Sequence, residues 1–191
     1  MLRIVFAFQL LLFSGIVIAQ EKIEIERPVS VKLVPEKAKI FVCELFSEGK
    51  IKWIIEKSEL GNKFEAKVKL GRERISVEFA ANGNFEDAER SIAFETLDTA
   101  ISDKINAQLT KDFYRFRIVK VQQHYSGNME QISRLFKTGQ ADFSAIHQLF
   151  EMVVYGIKEN EIGSFEYVFS KEGNFEKRLR NAEHNTDNLL F

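Results

Sequence analysis

The side chains with the most chemical potential in this sequence are three histidines, His124, His147 and His184, a single cysteine, Cys43, and the acid run Glu86, Asp87 and Glu89. A zinc centre needs three or four converging His, Cys or carboxylate donors, and these histidines stand far apart with no paired-ligand spacing. Cys43 falls beside the apolar stripe of a helix, where a free thiol ordinarily behaves as a small packed hydrophobe; a nucleophile would need a base, and no spacing nominates one. The acid run lacks the spaced oxygen ligands and mid-loop glycine of a calcium loop, so it reads as a solvated edge rather than a metal or acid/base site. No G-x-S-x-G, H-E-x-x-H, phosphate-cradling glycine loop or dinucleotide fingerprint occurs. These residues point to a protein that is not an enzyme and carries neither metal nor cofactor.

The elements that would position them are legible from periodicity. Residues 63–70 alternate Phe64, Ala66, Val68 and Leu70 with Lys63, Glu65, Lys67 and Lys69, the period of two of a strand with one wet face. After Gly71 the pattern resumes with Ile75, Val77 and Phe79, and Asn82-Gly83 supplies a turn before Asn84-Phe85-Glu86 begins a third extended run. Upstream, Pro35 opens a helix whose stripe is Ala38, Phe41, Val42, Leu45 and Phe46, followed by a strand through Ile51, Trp53 and Ile55. Residues 21–33 alternate around Pro28, which suits an edge strand or an extended lead-in.

The same order then restarts. Thr96 to Asp98 caps a second helix with the stripe Leu97, Ile101, Ile105, Leu109 and Phe113, and an extended run from Arg115 to Tyr125 follows. Gly173-Asn174-Phe175-Glu176 repeats Gly83-Asn84-Phe85-Glu86 letter for letter. Phe46 maps on Phe113 and Ile51 on Ile118, Phe64 maps on Phe150, and Phe79 maps on Phe169. The growing offset places an insertion between Tyr125 and Leu149, and Met129, Ile132 and Phe136 give it helical spacing. The expected organisation is a lead-in at 20–33, a first repeat at 34–95, a second at 96–182 with a helical insertion near 126–148, and a polar tail at 183–191.

Residues 1–19 read as a secretory signal: Arg3, an apolar core from Ile4 to Phe13 broken only by Gln9, and the exit Val17-Ile18-Ala19, with cleavage after Ala19. The core is shorter than a bilayer span, and no later run is apolar enough to be one, so no membrane span is expected after cleavage. Without the leader's one arginine, 26 basic face 28 acidic residues, and nothing in that balance favours nucleic acid. With Cys43 alone, no internal disulfide forms, and stability must come from packing in a Phe-rich core.

Taken together, the pattern resembles the PepSY-like family of bacterial secreted proteins, whose fold is likened to that of the β-lactamase-inhibitor protein. The resemblance is carried by Ile51-Lys52-Trp53 after a short helix, Phe64-Glu65, Val77-Glu78-Phe79, the run from Ile118 through Gln122-Gln123-His124-Tyr125, Phe150-Glu151 and Phe165-Glu166-Tyr167. It implies an α+β fold of two tandem helix-plus-antiparallel-sheet repeats, with helices on one face and an open sheet surface on the other. No contact residue transfers, because the inhibitor's disulfide cysteines are missing.

The faces of the two sheets differ. The first, with Lys63, Glu65, Lys67, Lys69, Arg74, Ser76 and Glu78, reads as plain solvated surface. The second carries Val153, Tyr155 and Ile157 beside Glu151, joined by Val168, and an apolar patch of this kind marks association. The alternative is that the helical insertion or the lead-in folds over it. Trp53 is read as a core residue at the helix-sheet junction, with an interface anchor as its other role. The expected function is that of an exported binding module, periplasmic or secreted, for a protein or peptide partner. The rivals are a small-ligand carrier or unusual enzyme using His124, Tyr125 or His147 in a pocket between helix and sheet, and a structural component of the envelope.

Overall fold

The computed structural model describes residues 21–22, 25–58, 61–159 and 161–181. The expected leader with its cut after Ala19, and the polar tail 183–191, lie outside the described residues. In chain order the elements are β1 (Glu21–Lys22), β2 (Ile25–Pro28), α1 (Glu36–Leu45), β3 (Lys50–Ser58), β4 (Gly61–Leu70), β5 (Glu73–Ala80) and β6 (Phe85–Ser91). There follow α2 (Thr99–Asp112), β7 (Arg115–Gly127), α3 (Met129–Thr138), β8 (Ile146–Lys158), β9 (Glu161–Ser170) and β10 (Phe175–Asn181). The class is α+β.

All the strands join one sheet in the order β1-β10-β9-β8-β7-β6-β5-β4-β3-β2. β2 to β10 form an antiparallel series, and only β1 runs parallel to its neighbour β10. β1 and β2 thus stand at opposite ends of the strand order, yet Lys22 and Ile25 are only three positions apart in the chain and so lie within about 11 Å of each other. The sheet therefore curls until its two ends are bridged by one short run of chain.

The convex side of the curl carries the helices. Ala38, Val42 and Phe46 pack with Trp53, Phe64, Ala66, Val68, Ile75, Val77 and Phe79, and the Phe79 ring meets Phe41, Trp53 and Phe85. Ile105, Leu109 and Phe113 pack with Phe150, Met152, Val154, Phe165, Tyr167 and Phe169. α3 begins where the Asn128 side chain accepts the Gln131 N–H and ends at Gly139 with φ 71°, a left-handed stop that glycine adopts without strain. It joins the first of these cores, with Phe136 edge-on to Phe46 and Tyr125.

The two stretches of helix and four strands agree in detail. Phe64 pairs with Phe79 as Phe150 pairs with Phe169, and Ile51 pairs with Val68 as Ile118 pairs with Val154. Gly83 (φ 81°) and Gly173 (φ 79°) donate to Ala80 and Ser170 in the same turn. Lys37 on α1 and Lys104 on α2 then reach the side-chain oxygens of Asn84 and Asn174. A Cβ at either glycine would strike the helix start beneath it, at Pro35 (2.6 Å) or Ile101 (2.9 Å).

Candidate functional site

With helices outside, the other face of the sheet is the inside of the curl. Alternation puts Glu65 and Lys67 there from β4, Ser76 and Glu78 from β5, Asp87 and Glu89 from β6, and Gln122 and His124 from β7. Glu56, Glu65, Ser76, Glu89 and Gln122 are all buried there, although no helix covers them. Lys67 Nζ reaches Glu26 at 2.9 Å and Glu65 at 3.3 Å, and Lys63 Nζ reaches Glu86 at 2.7 Å and Glu78 at 3.3 Å. Gln122 Nε2 donates to Glu89, and His124 Nε2 lies 3.6 Å from Asp87.

Two expectations are corrected here. The first sheet's polar face is not plain solvated surface, because the curl turns it inward and brings charged side chains from adjacent strands over one another. Nor are Glu86, Asp87 and Glu89 on a solvated edge: β6 is an inner strand between β5 and β7, and Glu89 is buried.

Burial sets the titration of this face. It pushes the Glu89 carboxyl well above the usual range, with Glu151, Glu78 and Asp87 adding to the effect. Burial likewise raises Glu78, helped by Asp87 and Glu56, and raises Glu65 against the opposing pull of Lys67. For His124 burial disfavours the charged ring, but the hydrogen bond and charge of Asp87, with Glu151 beyond, outweigh it and the pKa rises. Among the described residues, Glu26, Glu56 and Glu65 form one carboxylate trio close enough to share an ion, and Glu78, Glu86 and Asp87 another. Each trio already contacts a lysine ammonium, Lys67 or Lys63, which supplies the positive charge a bound cation would bring.

The inner face changes character towards β8 and β9. Tyr155 is 46% exposed and Ile162 55%, with Ile157 paired to Ile162 across the strands and Val153 and Val168 half-buried nearby. Arg117 and Arg115 on β7 stand opposite Tyr155 and Ile157. The result is an apolar patch edged by guanidinium groups. α3 does not fold over it, since it packs on the convex side against Phe46, and β2 lies beside β3. Trp53 is corrected as an interface anchor: it sits in the core against Phe79, across the sheet from the patch. Cys43 is corrected as a packed side chain, being exposed on α1. His124 and His147 face the inside from β7 and β8, whereas Tyr125 lies in the convex core, so the three line no common pocket.

Solved structures share this architecture. A DUF2874 family protein from Bacteroides ovatus superposes with a TM-score of 0.53 at 7% identity, over 83% of this chain and 97% of that one. A candidate periplasmic protein from Bacteroides eggerthii gives 0.52 at 11% identity, over 77% and 88%. A BLIP-like protein from Bacteroides fragilis gives 0.48 at 15% identity, over 77% and 86%. The fold is shared. No family model and no curated protein sequence matches the chain. No helix among the described residues is long and apolar enough to cross a membrane.

Sequence reasoning missed the buried charge cluster and the two arginines beside Tyr155. The available signal was that Glu65, Lys67, Ser76, Glu78 and Glu89 all fall at inner-face positions of strands that have a neighbour on each side. Charged residues of both signs at such positions compensate one another where solvent is scarce.

Proposed function

We propose that the protein is an exported, non-enzymatic binding module, periplasmic or secreted, that recognises a protein or peptide through the inner face of its sheet at Val153, Tyr155, Ile157 and Val168. The observation that carries this reading is exposed Tyr155 paired with Arg117, beside exposed Ile162, whose strand partner Ile157 is in turn paired with Arg115. Aromatic side chains and arginine dominate binding energy at protein interfaces because they bury large area and keep a polar handle. The leader sequence supports export, and the shared fold is compatible with it. The matched turns and registers support a further reading, that residues 34–95 and 96–182 are copies of one PepSY-like unit. On that reading one copy keeps its inner face charged and the other turns it into a docking patch.

The test is capture of a partner from envelope extract by the wild type and by Tyr155→Glu. The expected result is loss of capture with a melting temperature unchanged within about 1 °C, since an exposed substitution away from the core has little effect on stability. Retained capture, or a large loss of stability, contradicts the reading.

A further inference from the structure

The two hydrophobic cores do not merge. Ala88 and Tyr125 belong to the first and Val121 to the second, and the halves of the sheet are joined between them by the ladder of β6 on β7. That ladder has five residue pairs, from Asp87↔Ser126 to Ser91↔Gln122, where β3 and β4 share nine and β8 and β9 ten. Its two sides are built differently. On the convex side α3 lies over it: Ile132 and Leu135 sit in the first core, the Phe136 ring meets Tyr125, and the Arg90 guanidinium lies 4.9 Å over that ring. On the inner side no helix covers it, and the side chains are Asp87 and Glu89 from β6 with Gln122 and His124 from β7. Buried Glu89 accepts from Gln122, whose strand partner on β8 is Glu151. Glu78 on β5 pairs with Asp87, and Glu65 on β4 pairs with Glu78, with Glu56 on β3 also acting on Glu78. The cations facing this row of acids are Lys120 and His124 on β7 and Lys63 on β4. Lys63 is held by Glu78 and Glu86, and His124 lies 3.6 Å from Asp87. Arg74 follows beyond Ser76 on β5, and exposed His147 on β8 pairs with Ser126.

We propose that this seam is a proton-operated hinge between the two halves of the sheet, closed while Glu89 and His124 hold their protons and opening from its inner side when those protons pass to solvent. With the protons gone, Glu78, Asp87, Glu89 and Glu151 form one row of like charges where solvent is scarce, and they repel. Burial and then Glu151 raise the Glu89 carboxyl, and in His124 the bond and charge of Asp87 outweigh burial. Both shifts support the closed seam at low pH, and that support is lost as the pH rises through the folded values. The helix side presents the rings of Tyr125 and Phe136 in place of acids, and it acts as the pivot. Opening the inner side flattens the curl, draws α1 and α2 together on the convex side and parts the two ends of the sheet. The closure that resists this is the pairing of Glu21 and Lys22 with Arg180 and Asn181. The hinge thus sets how far the charged inner face of the first half stands from Tyr155 in the second.

The test is a distance across the seam, read by double electron–electron resonance at pH 5 and pH 8. One spin label sits on the native Cys43 of α1 and the other on α2 through Asp103→Cys, both at exposed positions. The control pair joins Cys43 to Arg72→Cys in the exposed turn between β4 and β5, within the first half. The seam pair should give one distance at pH 5 and a second, shorter population at pH 8, while the control pair stays the same. Glu89→Gln should keep the pH 5 distance at pH 8, and Glu151→Gln, which removes the acid across Gln122, should shrink the shorter population. A seam distance that is unchanged or longer at pH 8, or the same shift in both variants as in the wild type, overturns the proposal. Broadening of the control pair alongside the seam pair also overturns it, because the first half would then be unfolding rather than turning on a hinge.

Discussion

Acidification should stabilise this protein between pH 8 and pH 5, the reverse of ordinary acid unfolding. Glu89, Glu78 and Glu65 have folded-state pKa values above the usual carboxylate range because burial penalises their charged forms. A carboxyl whose folded pKa is raised contributes stability that is fully present below the unfolded value, about 4.3 for Glu, and is lost as the pH rises through the folded value. His124, also raised, acts with the same sign above about pH 6.5. Asp142 and Glu172 are shifted down, so their opposite contribution is lost only on further acidification, below the usual carboxylate range. Each extra proton held by the native state changes stability by about 1.4 kcal/mol per pH unit. For a chain of this size that corresponds to roughly 3–5 °C in Tm for each unit of acidification. The assay is a series of thermal melts from pH 5 to 8 on the wild type and Glu89→Gln, whose amide oxygen can still accept from Gln122. The variant should melt higher than the wild type at pH 8 and show a shallower slope. A wild-type Tm that is flat or falls on acidification, or an identical slope in Glu89→Gln, refutes the reasoning.

Two further expectations follow from the packing. Phe79→Ala and Phe169→Ala, at matched register positions, should each cost about 3–5 kcal/mol in chemical denaturation, the range for removing a buried aromatic ring; a small loss for one alone would show that the two cores are not equivalent. Lys67→Met removes the ammonium between Glu26 and Glu65 and should cost about 3 kcal/mol. Adding Glu65→Leu should recover much of that loss, and a double variant no better than the single would show that the pair is not the source.

Much of the fold was legible because each strand presents one face to a core. The period of two in Phe64-Ala66-Val68 and Phe165-Tyr167-Phe169, and the helical stripes ending at Phe46 and Phe113, are direct consequences of burial on one side. The repeated Gly-Asn-Phe-Glu was legible for another reason: a left-handed glycine between strands, with its Cβ position against a helix start, admits no other residue. The curl was not legible, because it depends on which edges the first described residues join: Glu21 and Lys22 pair at one end of the sheet and Ile25–Pro28 at the other. Without the curl, Glu65 and Glu89 looked wet. The depth of Cys43 depends on how α1 rotates against the sheet, which a stripe one residue away does not fix. The position of α3 depends on its packing against Phe46, a contact between distant stretches of sequence.

The central claim, that the inner face at Tyr155 is a docking surface, is tested most directly by placing a photo-crosslinking amino acid at position 155 in the exporting cell, with the same group at exposed Glu44 on α1 as the control. A discrete partner adduct from position 155 and none from position 44 is the predicted result. Equal adducts from both positions, or none from either, would contradict it.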